Sequence, residues 1–146
     1  MKNSLRITIL LFLTAVILGS MGCTKRDPSF LNGKVAEMID CDVVHDEEHA
    51  YALLYPGVTD HDTFASTAES IYEYFPVTAD YELTLTAWDF RTGIGNGNEV
   101  LKGQYRVEFD GKAFIVTATW LSDEGGSGFT EFRVASEEDL NSAQGT

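Results

Sequence analysis

The residue types best suited to chemistry are concentrated in one short stretch of this chain. His45-Asp46-Glu47-Glu48-His49 sets two imidazoles four residues apart with carboxylates between them, and His61 follows between Asp60 and Asp62. On a helix, an H-x-x-E-H spacing brings both imidazoles to one face, where they can hold zinc while the glutamate serves as base. That chemistry needs a helical segment and a third ligand from another element. Here the segment lies between Val43-Val44 and an apolar run starting at Ala50, and it reads as an exposed acidic turn.

A looser cation site is the second reading of the same residues. His45, His49, His61, Asp42 and Glu48 are its weak metal candidates, with Asp40, Asp46 and Glu47 crowded beside them. Imidazole with carboxylate suits zinc or copper, and carboxylates alone suit calcium. No spacing here matches a calcium loop, so no metal site is assigned and no cofactor is expected. The other motifs are weaker. In Gly93-Ile94-Gly95-Asn96-Gly97 the third glycine comes one residue too early for a dinucleotide turn, and the segment joins two strands. Gly125-Gly126-Ser127-Gly128 is followed by Phe129 where a nucleophile elbow needs glycine. No nucleophile–base–acid set emerges, so no catalytic residue is assigned and a non-enzymatic protein is expected. Cys41 lies between Asp40 and Asp42, whose charge disfavours a thiolate, so it reads as a buried, inert thiol.

The elements that must position these residues begin with a polar stretch to Gly33. Lys34 to Val44 alternates poorly and fits a strand or a short helix; Ala50 to Tyr55, stopped by Pro56-Gly57, fits a buried strand. Thr59–Phe75 is the principal helix. Thr59 and Asp62 have capping-box spacing, Phe64, Ala68, Ile71, Tyr72 and Phe75 form one apolar face, and Pro76 stops the run. Tyr72 and Tyr74 cannot both lie on that face, so one of them suits an exposed patch.

The rest alternates as sheet. Tyr81, Leu83, Leu85 and Ala87 share a face, and Trp88 and Phe90 break that register. Leu101 to Phe109 and Lys112 to Trp120 flank Asp110-Gly111, a tight-hairpin signal, and Phe129 to Val134 forms the last strand. The order predicts an α+β fold: a mostly antiparallel sheet of four to five strands with one principal helix packed on one face. The expected core is Leu53, Phe64, Ile71, Phe75, Leu83, Leu85, Val107, Phe109, Phe114, Val116 and Trp120.

The first 23 residues are of a different kind. Lys2 and Arg6 precede an apolar run from Ile7 to Leu18, and Gly19, Ser20 and Gly22 lead to Cys23. The run is short for a membrane-spanning helix, which needs ~20 apolar residues. The layout resembles the signal segment of bacterial lipoproteins. The resemblance covers only this segment and implies a lipid on the Cys23 sulfur and cleavage after Gly22. Thr24 stands where, in that class, an aspartate favours inner-membrane retention, so the resemblance implies the outer membrane; the domain is expected to face the periplasm. If Cys23 carries lipid, Cys41 has no disulfide partner within the chain; without lipid, a Cys23–Cys41 disulfide becomes open. The chain then divides into a signal peptide (1–22), a lipidated cysteine and tether (23–33), one α+β domain (34–135) and a flexible acidic tail (136–146).

Charge narrows the partners. The chain has 10 basic and 23 acidic residues, a formal net charge of −13, and both Lys2 and Arg6 leave with the signal. Such a surface repels phosphate backbones, so nucleic acid is excluded as a partner. The expectation is an envelope-anchored lipoprotein with a small acidic binding or accessory domain, held to the membrane through lipid on Cys23. The alternatives are an immunity protein or inhibitor of a cationic envelope or secreted protein, and a metal-binding protein using the His45/His49 segment.

Overall fold

The computed structural model describes residues 27–75, 80–93 and 97–144. The signal segment, Cys23, Thr24, Pro76 and residues 94–96 lie outside that range. Three helices come first: α1 (Ser29–Val44), α2 (Glu47–Ala52) and α3 (His61–Tyr72). Four strands follow, β1 (Glu82–Thr92), β2 (Glu99–Phe109), β3 (Lys112–Asp123) and β4 (Gly126–Ser136), and then helix α4 (Glu137–Gln144). The strands form one antiparallel meander in the order β1-β2-β3-β4. The fold is α+β with an antiparallel sheet.

α1 is the helix that covers the sheet. Leu31, Val35, Met38 and Ile39 recur at helical spacing and are buried. Burying each such side chain stabilises the fold by ~1.5–3 kcal/mol, so this stripe outweighs the weak local alternation that fits a strand equally well. Gly103 on β2 makes room for the contact: a Cβ there would lie 2.6 Å from the Tyr105 ring and 2.9 Å from Leu31 Cδ2. The Tyr105 hydroxyl, packed into that space, donates to Asn32 Oδ1 at 3.0 Å. α1 also takes in residues 29–33, which the sequence reading gave to the tether.

Three further local readings are corrected. Ala50–Tyr55 is not a strand: Glu47–Ala52 is helical, and only Leu54 pairs, in a lone parallel bridge to Phe129. Asp46 caps this helix by accepting from the His49 N–H, and Ala50, Tyr51 and Ala52 add no β-branched residue to oppose it. α3 starts later than expected because Asp60, not Thr59, is the cap; Asp60 Oδ1 accepts from the Thr63 N–H at 2.9 Å and Oδ2 from its hydroxyl at 2.7 Å. The acidic tail is also structured through residue 144. Ser136 caps the helix: its Oγ accepts from the Asp139 N–H and its hydroxyl donates to Asp139 Oδ2, with Glu137 and Glu138 at the favourable end of the helix dipole.

The break at Trp88 and Phe90 has a specific cause. Leu85 pairs with Tyr105 and Ala87 with Gln104, so Thr86 is an extra residue, a β-bulge. Ala87 therefore turns to the outer face, and Trp88 and Phe90, opposite Gly103 and Leu101, return to the helix side. Asp110 and Gly111 both have positive φ, 45° and 77°, as the two-residue hairpin requires. All eleven expected core residues are buried or packed against the core cluster. The stripe on α1, together with Leu101, Tyr105 and Phe129, supplies the remaining bulk.

Candidate functional site

The histidine segment does not assemble. His45 ends α1 in the left-handed conformation (φ 56°), where its N–H reaches Asp42 O and the Asp46 N–H reaches Cys41 O. These two bonds close the helix as a Schellman motif with histidine in place of glycine. His45 and His49 thus belong to different helices. His45 stacks on Tyr72 with ring centroids 4.2 Å apart. His49 Nε2 lies 3.0 Å from Glu37 Oε1 on α1, and His61 Nε2 lies 3.2 Å from Glu48 and 3.6 Å from Glu47. Each imidazole sits on a different partner. Among the described residues, no group of three or more His, Cys, Asp or Glu side chains is placed to hold a metal ion. Cys41 is buried, and burial, reinforced by Asp46 and Asp42, pushes its thiol up to about 11.

Asp42 parts company with the other candidates. It continues the apolar stripe of α1 one turn beyond Met38 and is 2% exposed. A carboxylate therefore occupies a position that the helix otherwise reserves for Leu, Val, Met and Ile. Its Oδ2 has no hydrogen-bond partner. Burial pushes the Asp42 carboxyl up to about 7, because charge is poorly solvated there. Buried polar atoms are nearly always paired, so an orphan of this kind calls for an explanation.

Asp42 lines a cavity of about 230 Å³ between α1, α3 and β4. α1 contributes Met38 and Asp42; α3 contributes Phe64, Thr67 and Ile71 from successive turns of one face. The segment between α2 and α3 closes another side with Leu54, Val58 and Thr59. β4 supplies Phe129 and Phe132, which a regular strand would point to opposite faces. A second bulge prevents that. Trp120 pairs with Phe129 and Thr119 with Glu131, so Thr130 is extra and both phenylalanines face the helices, 5.5 Å apart edge to face.

The wall formed by Leu54 is fixed from behind. Tyr55 N–H donates to Phe129 O and Phe129 N–H to Leu53 O, both at 2.9 Å. This approach requires Gly128, where a Cβ would lie 2.3 Å from the Tyr55 nitrogen. The Tyr55 hydroxyl then donates to Asp123 Oδ1 at 2.8 Å, which also accepts from the Gly125 N–H. Glu131 borders the cavity through its place on β4, but its carboxylate lies on the outer face of the sheet and is engaged there: Arg133 lies at 3.0 Å, Lys102 at 3.7 Å, and the Thr119 hydroxyl donates to it. Asp42 is the unpaired acid of this pocket.

Sequence reasoning found Asp42 only as a weak metal candidate. The available signal was its register, four residues after Met38 on the stripe Leu31-Val35-Met38, which is visible only once the segment is read as a helix. No protein-family model and no curated protein matches the chain.

Proposed function

We propose that this chain is an outer-membrane lipoprotein, anchored through lipid on Cys23 and facing the periplasm, whose domain is a non-enzymatic binding module with the α1–α3–β4 pocket as its ligand site. One observation carries the binding reading: a largely apolar cavity walled by three elements is lined by a buried carboxylate whose Oδ2 has no hydrogen-bond partner. Pockets of this make-up, apolar with few polar groups, are the usual form of small-molecule sites. The anchor rests on the charged start, apolar run and Gly22-Cys23 ending of the sequence.

Two experiments test the reading. A small-molecule panel is screened against the full chain by ligand-observed NMR, beside Thr67→Trp, an exposed helix position at the cavity wall whose indole fills the mouth. Hits that vanish in the variant support the pocket; no hits, or hits indifferent to the substitution, overturn it. For the anchor, Cys23→Ser abolishes labelling by a radioactive fatty acid and releases the domain from membranes; continued labelling overturns the assignment.

A second reading, an immunity protein or inhibitor of a cationic protein, is favoured by the exposed acids Asp46, Glu48, Asp60 and Asp62 around the starts of α2 and α3. It requires an association rate that falls steeply with salt.

A further inference from the structure

We propose that the ligand of this pocket is a small arylalkyl amine, or a compound presenting that group, with its ammonium on Asp42 and its ring against Phe64 and Phe132. The inference rests on the binding reading above and specifies its chemistry.

Size sets the first limit. A cavity of about 230 Å³ exceeds by roughly half the ~150 Å³ apolar cavity that takes benzene. One aromatic ring with a short polar chain fills that space. The walls set the second. Phe64 and Phe132 offer part-exposed rings, Phe132 turned inward by the β4 bulge with the fully buried Phe129 behind it, and Met38 and Ile71 close the sides with apolar atoms. Aromatic walls suit both a ring and a cation placed against their faces. A sugar or another polyhydroxyl compound would lose its hydration against these walls without recovering enough hydrogen bonds.

The charge of the ligand follows from what surrounds Asp42. Among the described residues no basic side chain lines the cavity, and the Glu131 carboxylate is held on the outer face of the sheet by Arg133 and Lys102. Tyr72 is raised by burial and by the charges of Asp42, Glu47 and Asp46, so the wider field is also negative. An anionic ligand would face an unbalanced carboxylate. A bare metal ion would find one carboxylate and too few further ligands. An ammonium supplies both the missing positive charge and the missing donor, and a charge-assisted hydrogen bond to a carboxylate is roughly twice as strong as a neutral one. Acidic residues outside the cavity favour entry of a cation by the same sign.

The test compares three probes of nearly equal shape: 2-phenylethylamine, 2-phenylethanol and phenylacetate. Each is titrated into the full chain at pH 8 by calorimetry, with the methyl signals of Met38 and Ile71 followed by NMR to locate binding. The amine is expected to bind at least about tenfold more tightly than the alcohol, the order supplied by one charge-assisted hydrogen bond, and the acid weakest. Asp42→Asn removes the preference for the amine and leaves the alcohol's affinity within about twofold. If the alcohol or acid binds as well as the amine at these methyls, the amine inference fails while the pocket reading stands. If none of the three moves the methyl signals, and the wider panel also yields nothing, both fail. Were Asp42→Asn to misfold, the ranking of the three probes on the unaltered chain would still decide the matter.

Discussion

Asp42→Asn should make the protein more stable at neutral and alkaline pH, and the size of the gain can be worked from burial. The carboxyl rises from its ordinary 3.8 to about 7 in the folded chain because burial penalises its charged form. A folded-state value above the unfolded one means that the native protein holds a proton the unfolded chain has released. Stability from this group is therefore complete below pH 4 and declines as pH rises, until it levels off above about 7. A rise of roughly three pH units, at ~1.4 kcal/mol each, makes the decline about 4 kcal/mol. Asparagine keeps the shape and carries no charge, so its profile lacks this component. Urea unfolding followed by tryptophan fluorescence measures it, since Trp120 is buried in the core. The variant should exceed the parent by several kcal/mol at pH 8, with the gap closing towards pH 4. Any constant offset from burying an amide leaves that pH-dependent difference intact. Parallel profiles for the two proteins from pH 4 to 8 would refute the reasoning, because they would show that Asp42 is solvated or paired in the native state.

Three other outcomes follow from the packing. Gly128→Ala pushes a methyl into the backbone of Leu54 and Tyr55; overpacking against backbone should cost about 3 kcal/mol or more, read as a lowered urea midpoint, and should loosen the pocket wall. Tyr55→Phe removes the hydroxyl that donates to Asp123, with a small drop in the urea midpoint expected in the same assay. Cys41, buried and pushed up to about 11, should react with a thiol reagent at pH 8 only on unfolding; labelling of the native protein at the rate of a free thiol would contradict the placement of α1.

The sheet was legible in the sequence because alternation and the Asp110-Gly111 turn depend on neighbours in the chain. The bulges at Thr86 and Thr130 were only half visible: Trp88 and Phe90 signalled a break, while the cause lay in how β1 pairs with β2. α1 was ambiguous because its buried stripe is narrow and interrupted on the open side by Asn32, Gly33, Lys34 and Glu37. Only packing against Tyr105 and Gly103 gives that stripe its meaning. The site suffered most from this ambiguity. A carboxylate among acidic neighbours looks like part of a solvated face until the helix is drawn, and then it lies one turn beyond Met38. α4, by contrast, was signalled by Ser136 and Asp139, a capping pair hidden by the polarity of the segment that follows.

The two bulges also bear on how copies of this protein behave towards one another. β1 and β4 are the outer strands of the sheet, each eleven residues long, and strands of that length at an open edge can recruit a second chain through their unused backbone groups. Thr86 interrupts the first edge and Thr130 the second, while Leu54 occupies part of β4 through its bridge to Phe129. Neither border offers a straight, uninterrupted row for a neighbour to extend. The same irregularity that turns Phe129 and Phe132 inward thus guards the sheet against self-association where the chain is crowded.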